Sequence, residues 1–156
     1  MGPWIAERAR GWMAAKRQDV MRTETVYEID GRHFSTLEEL FAVIGRVLTP
    51  GASWGHNLDA FSDILRGGFG TPEGGLVLRW THSEESRLRL GHPETVKQLK
   101  LRLARCHPSN RALVAADLKA AQSGAGPTVF DWLVEIIRDH GPGGEQEDDG
   151  VTLELA

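Results

Sequence analysis

The most restrictive feature of the sequence is a short, almost continuous apolar run at residues 76–80, which reads Leu-Val-Leu-Arg-Trp. A run of this kind, without polar alternation, is typical of a strand buried on both faces of a parallel sheet. Shorter strand patterns lie at residues 26–29 and 151–155, and helical patterns separate the three. This order predicts an α/β fold, in which a small three-stranded parallel sheet is packed with helices.

Helix start signals lie on both sides of the central run. Ser35 and Glu38 have the spacing of a capping box, which predicts a helix through about residue 48. Ser83 is expected to cap a short helix after the central strand. Thr128 and Asp131 predict the start of a further helix, which leads into the last strand.

Two segments are additional to this core. Residues 1–24 carry five Lys or Arg residues and three acidic residues in an amphipathic helical pattern, which we interpret as an N-terminal extension. Residues 92–126 predict two helices, the first starting at Pro93, and the segment ends in a Gly- and Ser-rich stretch. We interpret this segment as a helical insertion in a domain that spans residues 25–156.

The stretch at residues 54–63 combines a core-facing pattern with paired acids. Asn57 has the position of an N-cap, and it predicts a helix over residues 57–66. Leu58 and Phe61 have the spacing of residues that face a core, whereas Asp59 and Asp63, four residues apart, share a different face. Two like charges at that spacing repel by roughly 0.2–0.5 kcal/mol in an isolated helix. Such a pair favours a cationic partner.

Charge and composition narrow the classes of function. The net charge is −4, and the chain after residue 24 has thirteen basic and nineteen acidic side chains. An acidic body of this kind argues against direct nucleic-acid binding and favours a basic partner. No apolar run approaches the roughly 18 residues that a membrane helix needs. The basic helix with Trp at residues 1–24 could sit on a membrane surface, but its apolar face is short, so no membrane partner is expected. Cys106 is the only cysteine, which excludes an internal disulfide and is compatible with a reducing compartment.

Several other interpretations of these residues stay open from the pattern alone. Asp59 and Asp63 could form a solvated helix face without a partner. The ring of Trp54 could pack on the core or contact a partner, and Gly55 could supply a positive φ or room for a close approach. An enzyme would use His56 with the acids as acid–base groups, but the histidines are scattered and no pair has ligand spacing.

The two stretches together resemble the barstar family, the intracellular protein inhibitors of barnase-type ribonucleases. The family signature is an aromatic residue, then Gly-x-Asn-Leu-Asp-Ala, then an Asp four residues after the first. Here it reads Trp54-Gly55-His56-Asn57-Leu58-Asp59-Ala60-Phe61-Ser62-Asp63. The run at residues 76–80 matches the Leu-Val-Leu-x-Trp segment of the family, and the resemblance covers residues 25–91 and 127–156.

The resemblance implies a mode of action. A barstar plugs the active site of its ribonuclease with the second helix and the loop before it, and the helix carboxylates take the place of substrate phosphate. Carried over by position, Asp59 and Asp63 take that role. The other partner-binding positions that the resemblance implies are Trp54, Gly55, Asn57, Leu58, Ala60 and Phe69.

The same resemblance implies a cytoplasmic inhibitor that is not an enzyme, has no catalytic residues, metal or cofactor, and is monomeric before binding. Its expected partner is a basic, extracellular-type or toxin ribonuclease of the guanyl-specific class. Departures from the family pattern at Ser53, Ser62, Gly68 and Pro127 remove aromatic or acidic contact residues and leave the identity of the target open. The alternative is a non-inhibitory interaction module, or an immunity protein for a different toxin, on the same fold.

Overall fold

The computed structural model describes residues 25–67, 71 and 75–156. The predicted extension at residues 1–24 and the predicted contact residue Phe69 lie outside that part. The described residues form three strands and six α-helices, in the order β1 (Val26–Asp30), α1 (Leu37–Leu48), α2 (Leu58–Leu65), β2 (Leu76–Thr81), α3 (Ser83–Arg89), α4 (His92–Arg105), α5 (Arg111–Gln122), α6 (Val129–Asp139) and β3 (Val151–Leu155). None of these helices is both long and apolar enough to cross a membrane.

The three strands form one parallel sheet with β2 at its centre. Val26 of β1 pairs with Val77 of β2, and Leu76 of β2 pairs with Val151 of β3. Helices connect β1 to β2 and β2 to β3, as parallel neighbouring strands require a long crossover between them. The α/β fold with a three-stranded parallel sheet is therefore confirmed.

Arg79 departs from the expectation that the central strand is buried on both faces, although Val77 on the same face is buried. Leu76, Leu78 and Trp80 are at most 2% exposed. On the opposite face, Arg79 pairs with neighbours from both edge strands, and its Nε donates to Glu154 Oε2 at 2.9 Å. The prediction was wrong at this position because a long charged side chain can stay in the strand if its face is open to solvent and to carboxylates.

The core lies between the buried face of the sheet and helices α1, α2 and α6. Trp80 is fully buried at its centre, and its indole N–H donates to Ser86 Oγ at 2.9 Å. The rings of Phe34 and Phe130 lie 5.9 Å and 5.1 Å from it, at tilted angles. The N–H of a buried tryptophan usually finds an acceptor of this kind. This packed layer fixes the position of α2.

Two predicted caps are shifted by one residue. The N-cap of α1 is Thr36, whose hydroxyl accepts from the Glu39 N–H, and not Ser35. His82 precedes α3 in the left-handed conformation, while the hydroxyl of Ser83 donates to the carbonyl of Ala156. The capping box predicted at the start of α6 is confirmed.

The turn after β1 is held by ionic contacts and a close approach. Arg32 donates to the Asp30 carboxylate through its side chain and its backbone N–H, and these bonds hold the pKa of Asp30 well below its usual range. A Cβ at Gly31 would collide with the carbonyl of His82 and the hydroxyl of Ser86. Only glycine therefore fits at this position.

Helices α4 and α5, which occupy the predicted insertion, pack on each other over a second apolar cluster. Leu99, Val114 and Ala121 form its buried part, and Cys106 and Trp132 border it. The cluster is separate from the core around Trp80, except that Trp132 of α6 packs against both. Trp132 thus joins the helical pair to α6, and α4 lies close to the N-terminal end of α2.

Candidate functional site

The N-terminus of α2 is fixed by its cap. The side chain of Asn57 accepts from the Ala60 N–H at 2.8 Å and donates to the carbonyl of Gly55 at 3.2 Å. Phe61, at 1% exposure, packs into the core together with Ile64 and Leu65. The helix is therefore anchored by one apolar face and one capped end, and its other face is free to present side chains.

Asp59 and Asp63 are both exposed on that face. Asp59 lies in the first turn, where the helix dipole favours a negative charge. Asp63 has a side chain that is 55% exposed and lies 3.5 Å from Arg66. In the part of the chain that the structure describes, Asp59 has no ion-pair partner. The Arg66 contact is an exposed pair of the kind that contributes little, so both carboxylates are available to an incoming cation.

The loop before α2 is packed against α1 through Trp54. Its ring meets Phe41 edge-on at 5.3 Å, and its Nε1 lies against Gly45, where a Cβ would be at 3.0 Å. Trp54 thus packs on the core edge and keeps only part of its surface for a partner. Gly55 does not have a positive φ, whereas the neighbouring His56 does, at 47°. The ring of His56 lies 4.6 Å from that of Trp54 at a tilted angle.

The remaining predicted contact residues flank the acidic pair. Leu58 and Ala60 are half-buried, and Leu58 also packs against the core. Leu58 and Ala60 therefore adjoin Asp59 in α2 with part of each side chain accessible, whereas Trp54 lies in the loop before the helix, against Phe41 of α1. Phe69 lies outside the described residues.

A hydrogen-bonded chain that the sequence did not indicate ties α2 to the loop before β3. Ser62 Oγ lies 2.8 Å from His140 Nε2, and His140 Nδ1 lies 2.7 Å from Asp149 Oδ2. Ser62 was predicted only as a missing contact ring on the partner face, but it is half-buried and bonded to the fully buried His140. The chain holds the middle of the acidic helix against the end of α6.

The same order of groups occurs in serine hydrolases, but the surroundings differ. Ser62 lies within α2, where the backbone N–H groups are used by the helix, so they cannot form an oxyanion hole. His140 is fully buried. Among the described residues, no group of three or more His, Cys, Asp or Glu side chains is placed to hold a metal ion. The Ser62–His140–Asp149 chain is therefore a structural link in this arrangement.

A groove opens beside the N-terminal turn of α2. It has a volume of about 780 Å³ and is bordered by α1, α4, α6 and the start of α2. Asn57 and Asp59 line one side, and Leu101, Arg102 and Arg105 of α4 line the other. We call it the α2–α4 groove. The sequence carried no signal that the basic residues of α4 lie opposite Asp59.

Polar contacts fix α4 against the start of α1. The Glu94 carboxylate, only 7% exposed, accepts from the Leu37 N–H at 2.8 Å and from Lys97 Nζ at 2.9 Å. Lys97 also contacts Glu38 at 3.2 Å, and Gln98 donates to both carboxylates. Partial burial alone would lower the pKa of Lys97, but the two carboxylates together raise it. Burial would likewise raise the pKa of Glu38, yet the bonds from Gln98 and Lys97 lower it.

One comparison with known proteins gives a match. Residues 24–104 match the family described as Barstar (barnase inhibitor), and the matched span includes all of α2 and ends within α4. Comparison with curated proteins gives no significant match. The assignment of residues 92–126 as an insertion stays a prediction. Since the match covers more than half of the chain and includes the acidic helix and the two strands on either side of it, the chain belongs to the barstar family.

Proposed function

We propose that the chain inhibits a barnase-type, guanyl-specific ribonuclease by inserting α2 and its preceding loop into the active site of the enzyme. The observation that carries the proposal is the exposed acidic face of α2, within the part of the chain that matches the family. Asp59 and Asp63 would occupy the places of substrate phosphates and accept hydrogen bonds from the cations of the enzyme. Charge-assisted hydrogen bonds of this kind are short and directional.

The structure of the free chain supports tight binding in this way. Asn57 and the buried apolar face already order α2, so little conformational entropy remains to be lost on association. Asp59 has no competing cation among the described residues, and Asp63 must exchange only the exposed Arg66. Desolvation of both carboxylates opposes binding, and it is offset only if the enzyme supplies well-aligned partners for each.

The charge of the whole chain supports the same partner class. The net charge of −4 favours encounter with a basic enzyme and disfavours RNA itself. In this proposal the chain acts in the cytoplasm as an immunity protein or antitoxin. It is a monomer before binding and needs no cofactor. Its target is an extracellular-type or toxin ribonuclease.

The test is an inhibition titration against a panel of guanyl-specific ribonucleases that includes barnase, with hydrolysis of a fluorogenic RNA as the readout. We expect stoichiometric inhibition of at least one member. The double variant Asp59→Ala/Asp63→Ala should weaken it at least about 100-fold, because unpaired buried cations remain on the enzyme. The control is Glu84→Ala/Glu85→Ala, which removes the same charge from the exposed face of α3.

Two results would contradict the proposal. The first is a wild-type chain that inhibits no ribonuclease of the panel. The second is a double variant, folded by circular dichroism, that inhibits as well as the wild type. An immunity protein for a different toxin would give the first result, and would still protect cells that express that toxin.

A further inference from the structure

The α2–α4 groove brings opposite charges to one surface. Asp59 lies on its α2 side, while Arg102 and Arg105 lie on its α4 side, three residues apart and therefore on one helix face. Leu101, 41% exposed, adds an apolar surface beside them. A face that only mimicked phosphate would not include two guanidinium groups next to its first carboxylate.

The α4 side of the groove is held in place. Glu94 of α4 caps the N-terminus of α1, and Lys97 and Gln98 bond to Glu38, so the helix is tied to α1 one to two turns before Arg102. The guanidinium of Arg102 itself lies 5.0 Å from the centre of the Trp132 ring. A cation over an indole face is attracted by its quadrupole, and this fixes the direction of the side chain before any partner arrives.

The charged residues that line the groove differ in whether they already have a partner of opposite charge. Glu38 is bonded by Lys97 and Gln98. Within the described residues, neither Arg102 nor Arg105 has a carboxylate within ion-pair distance, whereas Arg87 and Arg89 of the preceding helix each have one. Arg102 and Arg105 therefore have capacity for an external anion beside the external cation that Asp59 accepts.

We propose that the α2–α4 groove is the second half of the binding face and takes a protein segment that carries a carboxylate next to a cation. The carboxylate pairs with Arg102 and Arg105, and the cation pairs with Asp59. The inference rests on the proposed function: it selects, among basic ribonucleases, one with an acidic side chain at the rim of its active-site cleft. An enzyme with a wholly basic rim is repelled by α4, so the groove acts in specificity as well as affinity.

The first arm of the test uses charge reversal on two faces of α4 and α5. The variant Arg102→Glu/Arg105→Glu changes the groove, and the control Lys100→Glu/Arg111→Glu makes the same change of charge on a different surface, between α4 and α5. With a ribonuclease that the wild type inhibits, we expect at least tenfold weaker inhibition for the groove variant and less than threefold for the control. Equal inhibition by both variants, with loss in Asp59→Ala/Asp63→Ala, overturns the groove inference and leaves the proposed function standing.

The second arm needs no ribonuclease. Hexaglutamate is titrated into the ¹⁵N-labelled chain, and the indole N–H resonance of Trp132 and the amides of α4 are followed. We expect these resonances to shift in the wild type and in the Lys100→Glu/Arg111→Glu control, but not in Arg102→Glu/Arg105→Glu.

Binding of hexaglutamate without inhibition of any ribonuclease would reject the proposed function and keep the groove as a site for an acidic segment. If a single-stranded RNA oligonucleotide shifts the same resonances and hexaglutamate does not, the groove is a nucleic-acid site and the inference is wrong.

Discussion

Glu94 offers the sharpest test of how the predicted insertion is joined to the core. Its carboxylate is 7% exposed and accepts hydrogen bonds from the Leu37 N–H, Lys97 and Gln98, at 2.8, 2.9 and 3.2 Å. The change Glu94→Ala removes all three. It leaves the Leu37 N–H, at the start of α1, buried without an acceptor.

The loss of stability in Glu94→Ala depends on which former partners of Glu94 keep another hydrogen bond or ion pair. An unsatisfied buried donor costs about 1–3 kcal/mol, and a broken buried ion pair costs about 3–5 kcal/mol when the other charge is stranded. Lys97 is not stranded, since it is 44% exposed and keeps Glu38 at 3.2 Å. We therefore expect the free energy of unfolding to fall by about 2–3 kcal/mol, which is closer to the cost of an unsatisfied donor than to that of a broken buried ion pair. For a chain of this size that lowers Tm by roughly 5–10 °C.

Urea denaturation followed by circular dichroism measures the loss directly. The control is Glu84→Ala, because Glu84 is 82% exposed and pairs with Arg87 at 3.5 Å, and such exposed pairs contribute less than about 1 kcal/mol. Glu94→Gln, which keeps an acceptor but no charge, should fall between the wild type and Glu94→Ala. A Glu94→Ala variant within about 0.5 kcal/mol of the wild type would show that α4 is not held by this carboxylate.

Three further changes test the placement of the acidic helix and of the turn after β1. Ser62→Ala leaves the buried His140 Nε2 without its partner at 2.8 Å, and we expect a loss of about 1–3 kcal/mol in urea denaturation. Asn57→Ala removes the N-cap and should lower the free energy of unfolding by about 1 kcal/mol, while Asn57→Ser should stay close to the wild type in the same assay. Gly31→Ala places a methyl group against the carbonyl of His82. We expect calorimetry to show a lower Tm, which corresponds to a loss of about 1–3 kcal/mol in the free energy of unfolding. Unchanged stability in any of the three contradicts the contact on which it is based.

The elements that were predicted well have signals confined to neighbouring residues. Asn57 as the cap of α2, Thr128 with Asp131 at α6, and the run at residues 76–80 each depend on chemistry within a few positions. The cap of α1 was placed one residue early because Ser35 and Thr36 each precede a glutamate at capping-box spacing. Local pattern cannot separate two such registers.

The features that the sequence did not reveal depend on residues far apart in the chain. Ser62 and His140 are 78 positions apart, and Leu37 and Glu94 are 57 apart. Neither pair has a local signature, since a buried glutamate and a half-buried serine have the same sequence context as exposed ones. The groove between α2 and α4 follows from the Glu94 contact, so it was hidden for the same reason.

The position of β2 at the centre of the sheet also bears on how the chain folds. Leu76 pairs with Val151, 75 positions away, whereas Val26 pairs with Val77, 51 positions away. Without residues 92–126 the longer separation would be 40, and a change of about twofold alters the entropy of loop closure by only about 0.6 kcal/mol. Helices α4 and α5 also make mostly local contacts with each other, so they can form as a hairpin before the sheet closes. The extra helices thus slow the pairing of β3 with β2 far less than their length suggests, although this pairing spans more of the chain than that of β1 with β2.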